Sequence, residues 1–229
     1  MNPLNQIIIA LDGLDDSELE DLLPRIAPHF SWVKVGMELF YSKGPSILEH
    51  IHRQGFQIFL DLKLYDIPQT VYNALKQISK LPVSMMNVHL SGGEKMLAAA
   101  RQAISSSQKL IGVSVLTSFD QAQWQKAYQT QRSLDQYLQY CFELAEKHQL
   151  DGVVCSAQDL KLLNKNLISI CPGIRLSAPA HDQERIATPM QAFKQSADFL
   201  VMGREVTQNE NLELWIQKLQ EHLNDFSLS

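Results

Sequence analysis

The sequence predicts an α/β fold, a single-domain closed (β/α)8 TIM barrel over residues 1–229, and three observations predict it. Eight short apolar runs alternate with amphipathic, helix-like stretches, the order expected of βα units around a parallel sheet. A polar or charged residue closes almost every run, and in a barrel those residues share the rim where barrel enzymes place their chemistry. The first run is not followed by the G-x-G-x-x-G turn of a dinucleotide-binding sheet, which counts against the open doubly wound arrangement that periodicity alone also fits.

The elements follow in order. The candidate strands are Ile7–Asp12, Trp32–Gly36, Gln57–Lys63, Met85–Leu90, Leu110–Leu116, Gly152–Ser156, Leu167–Pro172 and Phe199–Gly203. Their strong apolar character suits strands covered on both faces. After each comes one amphipathic segment: Asp16–Ile26, Pro45–Gln54, Thr70–Leu81, Gly93–Ser105, Ser133–His148, Ala157–Leu163, Pro189–Gln195 and Asn211–Asn224. Phe119–Arg132 is too polar and irregular for a clear helix and is expected to be loop or irregular helix. Leu176–Ala187, with Pro179, His181, Asp182 and Gln183, has the length of a lid.

With 229 residues, 45% hydrophobic and 20% charged, the chain is long enough for one large core. A net charge of -5, with the basic residues spread along the chain, argues against a nucleic-acid partner held by a general field and leaves room for a local anion site. Cys141, Cys155 and Cys171 stand in apolar surroundings without CxxC spacing and are expected to be reduced. No basic leader and no apolar run of membrane-helix length is evident, so a cytoplasmic protein with no membrane partner is expected.

The chemistry concentrates in Asp61-Leu62-Lys63-Leu64-Tyr65-Asp66-Ile67-Pro68, where an apolar strand runs into two acids flanking a lysine. Ionic groups at the end of a buried strand must be paired, solvated in a cleft, or functional. Period-2 geometry turns Asp61 and Lys63 to one side, and a lysine among carboxylates keeps its proton, which makes Lys63 a general acid. Lys34, inside Trp32-Val33-Lys34-Val35-Gly36, needs a partner, and Asp61 is the expected one. Lys34, Asp61, Lys63 and Asp66 together form an alternating charged row.

Pro172-Gly173-Ile174-Arg175 and Val201-Met202-Gly203-Arg204 end the last two strands, where barrels commonly hold phosphate with glycine amides and arginine forks. Asp12 is a candidate either for substrate contact or for capping the helix that follows, and Thr117 with Ser118 has the same two readings. His89 is expected to be a hydrogen-bonded structural histidine, since no second ligand lies at metal-binding spacing.

These segments resemble the orotidine 5'-phosphate decarboxylase family of bacterial type, over nearly the whole chain. The resemblance is carried by Ile9-Ala10-Leu11-Asp12, Lys34-Val35-Gly36, the Asp61 to Pro68 motif, Asn87-Val88-His89, Val115-Leu116-Thr117-Ser118, Pro172-Gly173-Ile174-Arg175 and Gly203-Arg204. It implies decarboxylation of orotidine 5'-monophosphate to uridine 5'-monophosphate without metal or cofactor, in a homodimer with composite sites. By that resemblance Lys63 protonates C6, Asp61 faces the leaving carboxylate, and Lys34 belongs to the same network. Asp66 and Ile67 reach into the partner's site. Asp12 and Lys34 contact ribose, Thr70 and Thr117 are further substrate-binding positions, and Gln183, Gly203 and Arg204 grip the phosphate with Arg175 nearby. Leu64-Tyr65, Leu90 and Leu176 depart from the usual family pattern. A magnesium-dependent sugar-phosphate decarboxylase or aldolase shares the Asp-x-Lys-x-x-Asp motif and stays a rival, with Glu38 as its available extra carboxylate.

Overall fold

The computed structural model describes residues 3–117, 119–176 and 187–227, with side chains described as far as residue 223. Ser118 and Gln183, and with Gln183 most of the expected lid, therefore lie outside the described residues.

Eight parallel strands close into a barrel in sequence order. In chain order the elements are β1 (Ile7–Ala10), α1 (Asp16–Ile26), β2 (Trp32–Gly36), α2 (Met37–Lys43), α3 (Ser46–Arg53), β3 (Gln57–Leu64), α4 (Pro68–Ile78), β4 (Met85–His89), α5 (Gly93–Ala103), β5 (Lys109–Val113), α6 (Gln121–Tyr128), α7 (Leu134–Lys147), β6 (Gly152–Val154), β7 (Ile168–Cys171), α8 (Pro189–Lys194), β8 (Phe199–Met202), α9 (Arg204–Thr207) and α10 (Leu212–Ser227). Each predicted strand is present.

The side-chain alternation of the strands builds two cores. Residues facing outward, among them Ile7, Ile9, Val33, Val35, Ile58 and Leu60, pack under the helices in the larger one. Inward-facing Ile8, Trp32, Phe59, Met85, Ile111, Ile170 and Val201 form a smaller, separate cluster that plugs the barrel. Trp32 and Phe199 meet edge to face there, with ring centroids 5.4 Å apart. The next inward step toward the carboxyl ends is two residues on: Ala10 after Ile8, Lys34 after Trp32, Asp61 after Phe59, Asn87 after Met85. The polar groups thus stand on a dry floor, where they must satisfy one another.

Four helical segments differ from expectation. Phe119–Arg132 contains α6, started by a capping box in which the Gln123 amide donates to Asp120 Oδ1 at 2.7 Å and the Asp120 amide to Gln123 Oε1 at 3.1 Å. Trp124 is its only buried side chain, so no apolar stripe announced it. Ala157–Leu163 is a 3-10 turn (Ala157–Leu162) rather than an α-helix. Ser156, expected on the rim, caps that turn. α2 and the four-residue α9 follow directly on strand ends and are too short to show periodicity. The three cysteines are buried, and among the described residues none forms a disulfide, in line with the expected reduced state.

Candidate active site

At the carboxyl end of the barrel four charged side chains form a continuous row. Lys34 Nζ donates to Asp12 Oδ2 and lies 3.3 Å from Asp61 Oδ2, while Lys63 Nζ donates to Asp61 Oδ1 at 2.6 Å. The order is therefore Asp12, Lys34, Asp61, Lys63, two charges of each sign. Asp61 is almost fully buried. Burial pushes its carboxyl toward the neutral form, but Lys34, then Lys63, together with hydrogen bonds from Lys63 and Asn87, outweigh that and hold it below the usual carboxylate range.

Asp12 is in the row rather than on a helix end. Asp15 caps α1, accepting from the Glu18 amide at 2.9 Å, so the capping reading of Asp12 does not apply. The Asp12 carboxylate passes directly over Gly36, where a Cβ would fall 2.1 Å from Asp12 Oδ1. Gly36 is needed for that close approach.

Lys63 does not sit in a regular strand. Its φ is +50°, and the pairing of β3 with β4 shifts register between Leu60 and Leu64. A non-glycine residue in the left-handed region costs about 1 kcal/mol or more and persists only where its surroundings impose it. Asn87 imposes it here. Its Oδ1 accepts from the Lys63 backbone amide at 2.8 Å and its Nδ2 donates to Asp61 Oδ1 at 2.7 Å, from a side chain only 1% exposed. Simple alternation put Asp61 and Lys63 on one side; the bulge and Asn87 set how they meet. No role was assigned to Asn87 from the sequence, although a buried amide at inward parity, two residues from Met85 and His89, was the available signal.

Beside the row lies a cavity of about 140 Å3, lined by the charged Lys34, Asp61 and Lys63 together with Phe59, Val113, Val115, Leu116, Thr117, Val154, Ile170, Pro172 and Val201. Thr117 belongs to this lining, and α6 is capped by Asp120, so Thr117 is not a helix cap. The cavity pairs a strip of fixed charge with an apolar wall, which suits a flat, partly apolar ring carrying an ionic substituent.

Other expected residues stand elsewhere. Asp66 is exposed and accepts from the Ile67 amide at 2.7 Å, so within one chain Asp12, not Asp66, completes the charged row. Ile67 and Thr70 are exposed and do not line the cavity. The His89 backbone pairs in β4, but its ring forms no hydrogen bond among the described residues and meets Tyr65 edge to face at 5.8 Å. Burial, and then the nearby Lys63 charge, hold His89 below its ordinary value against the opposite pull of Asp61. Arg175 and Arg204 follow the ends of β7 and β8, and neither has an ion-pair partner among the described residues. Among the described residues no cluster of three or more His, Cys, Asp or Glu side chains is placed to hold a metal ion, and Glu38 is exposed on α2. Likewise no helix among them is long and apolar enough to cross a membrane.

The barrel and its rim-borne charged row define the class: a TIM-barrel enzyme that works with fixed lysine and aspartate charges beside an apolar cavity. Comparison with known proteins narrows this. Residues 5–218 match the Orotidine 5'-phosphate decarboxylase / HUMPS family. A protein of Streptococcus pneumoniae named orotidine 5'-phosphate decarboxylase is 41% identical over 210 residues, which cover 89% of this chain and 90% of that one. The crystal structure of orotidine 5'-phosphate decarboxylase from Lactobacillus acidophilus superposes with a TM-score of 0.82 at 30% identity, covering 96% of this chain and 99% of the other. An uncharacterized conserved protein from Geobacillus kaustophilus gives 0.80 at 31%, covering 94% and 98%. The chain belongs to the orotidine 5'-phosphate decarboxylase family and is an enzyme of that family.

Proposed function

We propose that this enzyme converts orotidine 5'-monophosphate to uridine 5'-monophosphate and CO2 in pyrimidine biosynthesis, without metal or cofactor, and that Lys63 supplies the proton. The observation that carries the reading is the Asp12, Lys34, Asp61, Lys63 row beside an apolar cavity. The C6–carboxyl bond breaks, CO2 leaves, and the electron pair stays on C6. That carbanion has no electron sink in the ring, so it needs a fixed cation close by and a proton to receive. The Lys63 ammonium meets both needs and regains its proton from solvent. Asp61, ionised and held in place by two lysines and Asn87, faces the departing carboxylate and disfavours its bound form by like-charge repulsion.

Lys34 and Asp12 suit the ribose hydroxyls, Thr117 the ring end of the cavity, and Gly203, Arg204, Arg175 and Gln183 the phosphate. Binding energy from that remote phosphate orients the reacting carbon. The magnesium-dependent alternative is disfavoured because two ammonium groups already satisfy the two carboxylates of the row, so a divalent ion would have to displace a lysine. Asp66, Ile67 and Thr70 act in the site of a second copy in a homodimer. Tyr65 and Ile67, 61% and 67% exposed beside the rim, are the kind of surface a second chain covers.

The test is ultraviolet-monitored consumption of orotidine 5'-monophosphate by purified protein, with EDTA and with magnesium in parallel. Turnover indifferent to EDTA is expected; turnover only with magnesium, or none from folded protein that still binds the nucleotide, would overturn the reading.

A further inference from the structure

We propose that Glu205 is a positioning residue for the phosphate end of the site, a role that rests on the nucleotide reading above. The exits of β7 and β8 are two separate stretches of backbone, each carrying one arginine, Arg175 and Arg204. Among the described residues a hydrogen bond joins them: the Leu176 amide donates to Glu205 Oε2 at 2.7 Å. Each partner of that bond directly follows one of the arginines, so the bond sets the separation of the two backbones that present the guanidinium groups.

Both ends of the bond are anchored. Ile174 pairs with Ala187 in a parallel bridge, and the Arg175 amide donates to the Ala187 carbonyl at 3.1 Å, which holds the stretch before Leu176. On the other side the Glu205 carbonyl accepts from Asn209 Nδ2 at 3.1 Å, and the Val206 amide donates to the Gly203 carbonyl at 2.8 Å, with Val206 buried.

The electrostatic consequence is the more specific one. Glu205 is the carboxylate adjacent in sequence to Arg204, yet its Oε2 is engaged by a neutral backbone amide, and among the described residues it forms no ion pair with either arginine. The two cations are left available for an anion brought by the ligand. A backbone amide also fixes geometry more firmly than a long cationic side chain, which is what a preorganised phosphate grip requires.

Glu205→Ala removes a negative charge and a tether together, and the two effects have opposite signs. If charge alone mattered, a phosphate would bind more tightly to Glu205→Ala; if the tether matters, more weakly. We expect the inhibition constant of uridine 5'-monophosphate and the KM for orotidine 5'-monophosphate to rise about tenfold, kcat to change less, and inhibition by uridine, which lacks the phosphate, to stay within twofold. Glu205→Gln, whose Oε1 accepts the same amide proton, restores nucleotide affinity. Glu205→Asp, which keeps the charge but falls short of Leu176, shifts in the direction of Glu205→Ala and covers the case in which Glu205→Ala does not fold. Nucleotide and uridine affinities falling together, no change in either, or a Glu205→Gln as weak as Glu205→Ala would overturn the proposal while leaving the decarboxylase reading intact. A wild-type protein that neither binds uridine 5'-monophosphate nor consumes orotidine 5'-monophosphate would overturn both.

Discussion

Replacing Asn87 by alanine tests whether the catalytic geometry is held from outside the charged row. The substitution deletes two hydrogen bonds at once, one to the Lys63 amide at 2.8 Å and one to Asp61 Oδ1 at 2.7 Å. The amide is left unpaired near the barrel interior, at about 1–3 kcal/mol, and the buried carboxylate loses a charge-assisted bond of about 1.5–3 kcal/mol. Water entering the space left by the amide recovers part of this, so a net loss of about 2–4 kcal/mol is expected. For a chain of this size each kcal/mol lowers Tm by about 2–4 °C, giving a fall of roughly 4–16 °C. Lys63 suffers more than the fold does, because its left-handed backbone loses the group that imposes it. A displacement of about 1 Å at a reacting group costs about 10²-fold in rate, so kcat should drop by that order while uridine inhibition changes little. The assays are scanning calorimetry and decarboxylation kinetics on the same preparation. A variant with wild-type Tm and kcat would refute the argument that Asn87 holds Lys63 and Asp61 in register. A variant that melts earlier with unchanged kcat would confine Asn87 to the fold.

Three further outcomes are expected. Gly36→Ala places a methyl group where Asp12 Oδ1 now passes, so Asp12 must leave Lys34; kcat/KM should fall at least tenfold with a stability loss of about 1–3 kcal/mol, and unaltered kinetics would show that the Asp12–Lys34 pair is dispensable. Mixing Lys63→Ala with Asp66→Ala protein should recover activity absent from either alone, through one intact hybrid site, and failure despite demonstrated subunit exchange would count against composite sites. His89 is held below its ordinary value of 6.5, so the unfolded chain takes up a proton first as pH falls. His89 therefore favours the folded state fully above 6.5 and loses that contribution as pH drops through 6.5 toward its folded value, levelling off below it. Denaturant titrations from pH 7.5 to 5 should show a steeper loss for wild type than for His89→Phe, and parallel curves would remove His89 from the account.

The sequence by itself determined the barrel and most of its charged rim. Strand existence follows from eight apolar runs dense enough to be buried on both faces, and parity puts residues two apart on one side, which is why Lys34, Asp61 and Lys63 were recognisable as rim charges from the chain alone, whereas the inward floor of Trp32 to Val201 was not. Family membership was legible for the same reason, since the Asp61 to Pro68 motif is contiguous. The Lys34–Asp61 and Asp61–Lys63 pairs were expected from the chain, and tertiary structure alone decided which acid completes the row. Asp12 rather than Asp66 completes the row within one chain, because the Asp12 side chain passes over Gly36 to reach Lys34 while Asp66 is exposed beyond the end of β3. The left-handed backbone at Lys63, its support by Asn87 from the neighbouring strand, and the Glu205 tether between two strand exits all depend on contacts between residues distant in sequence. Local periodicity reports which face a side chain takes. Which group it meets there depends on register, bulges and loop paths, and those are settled only when the barrel closes.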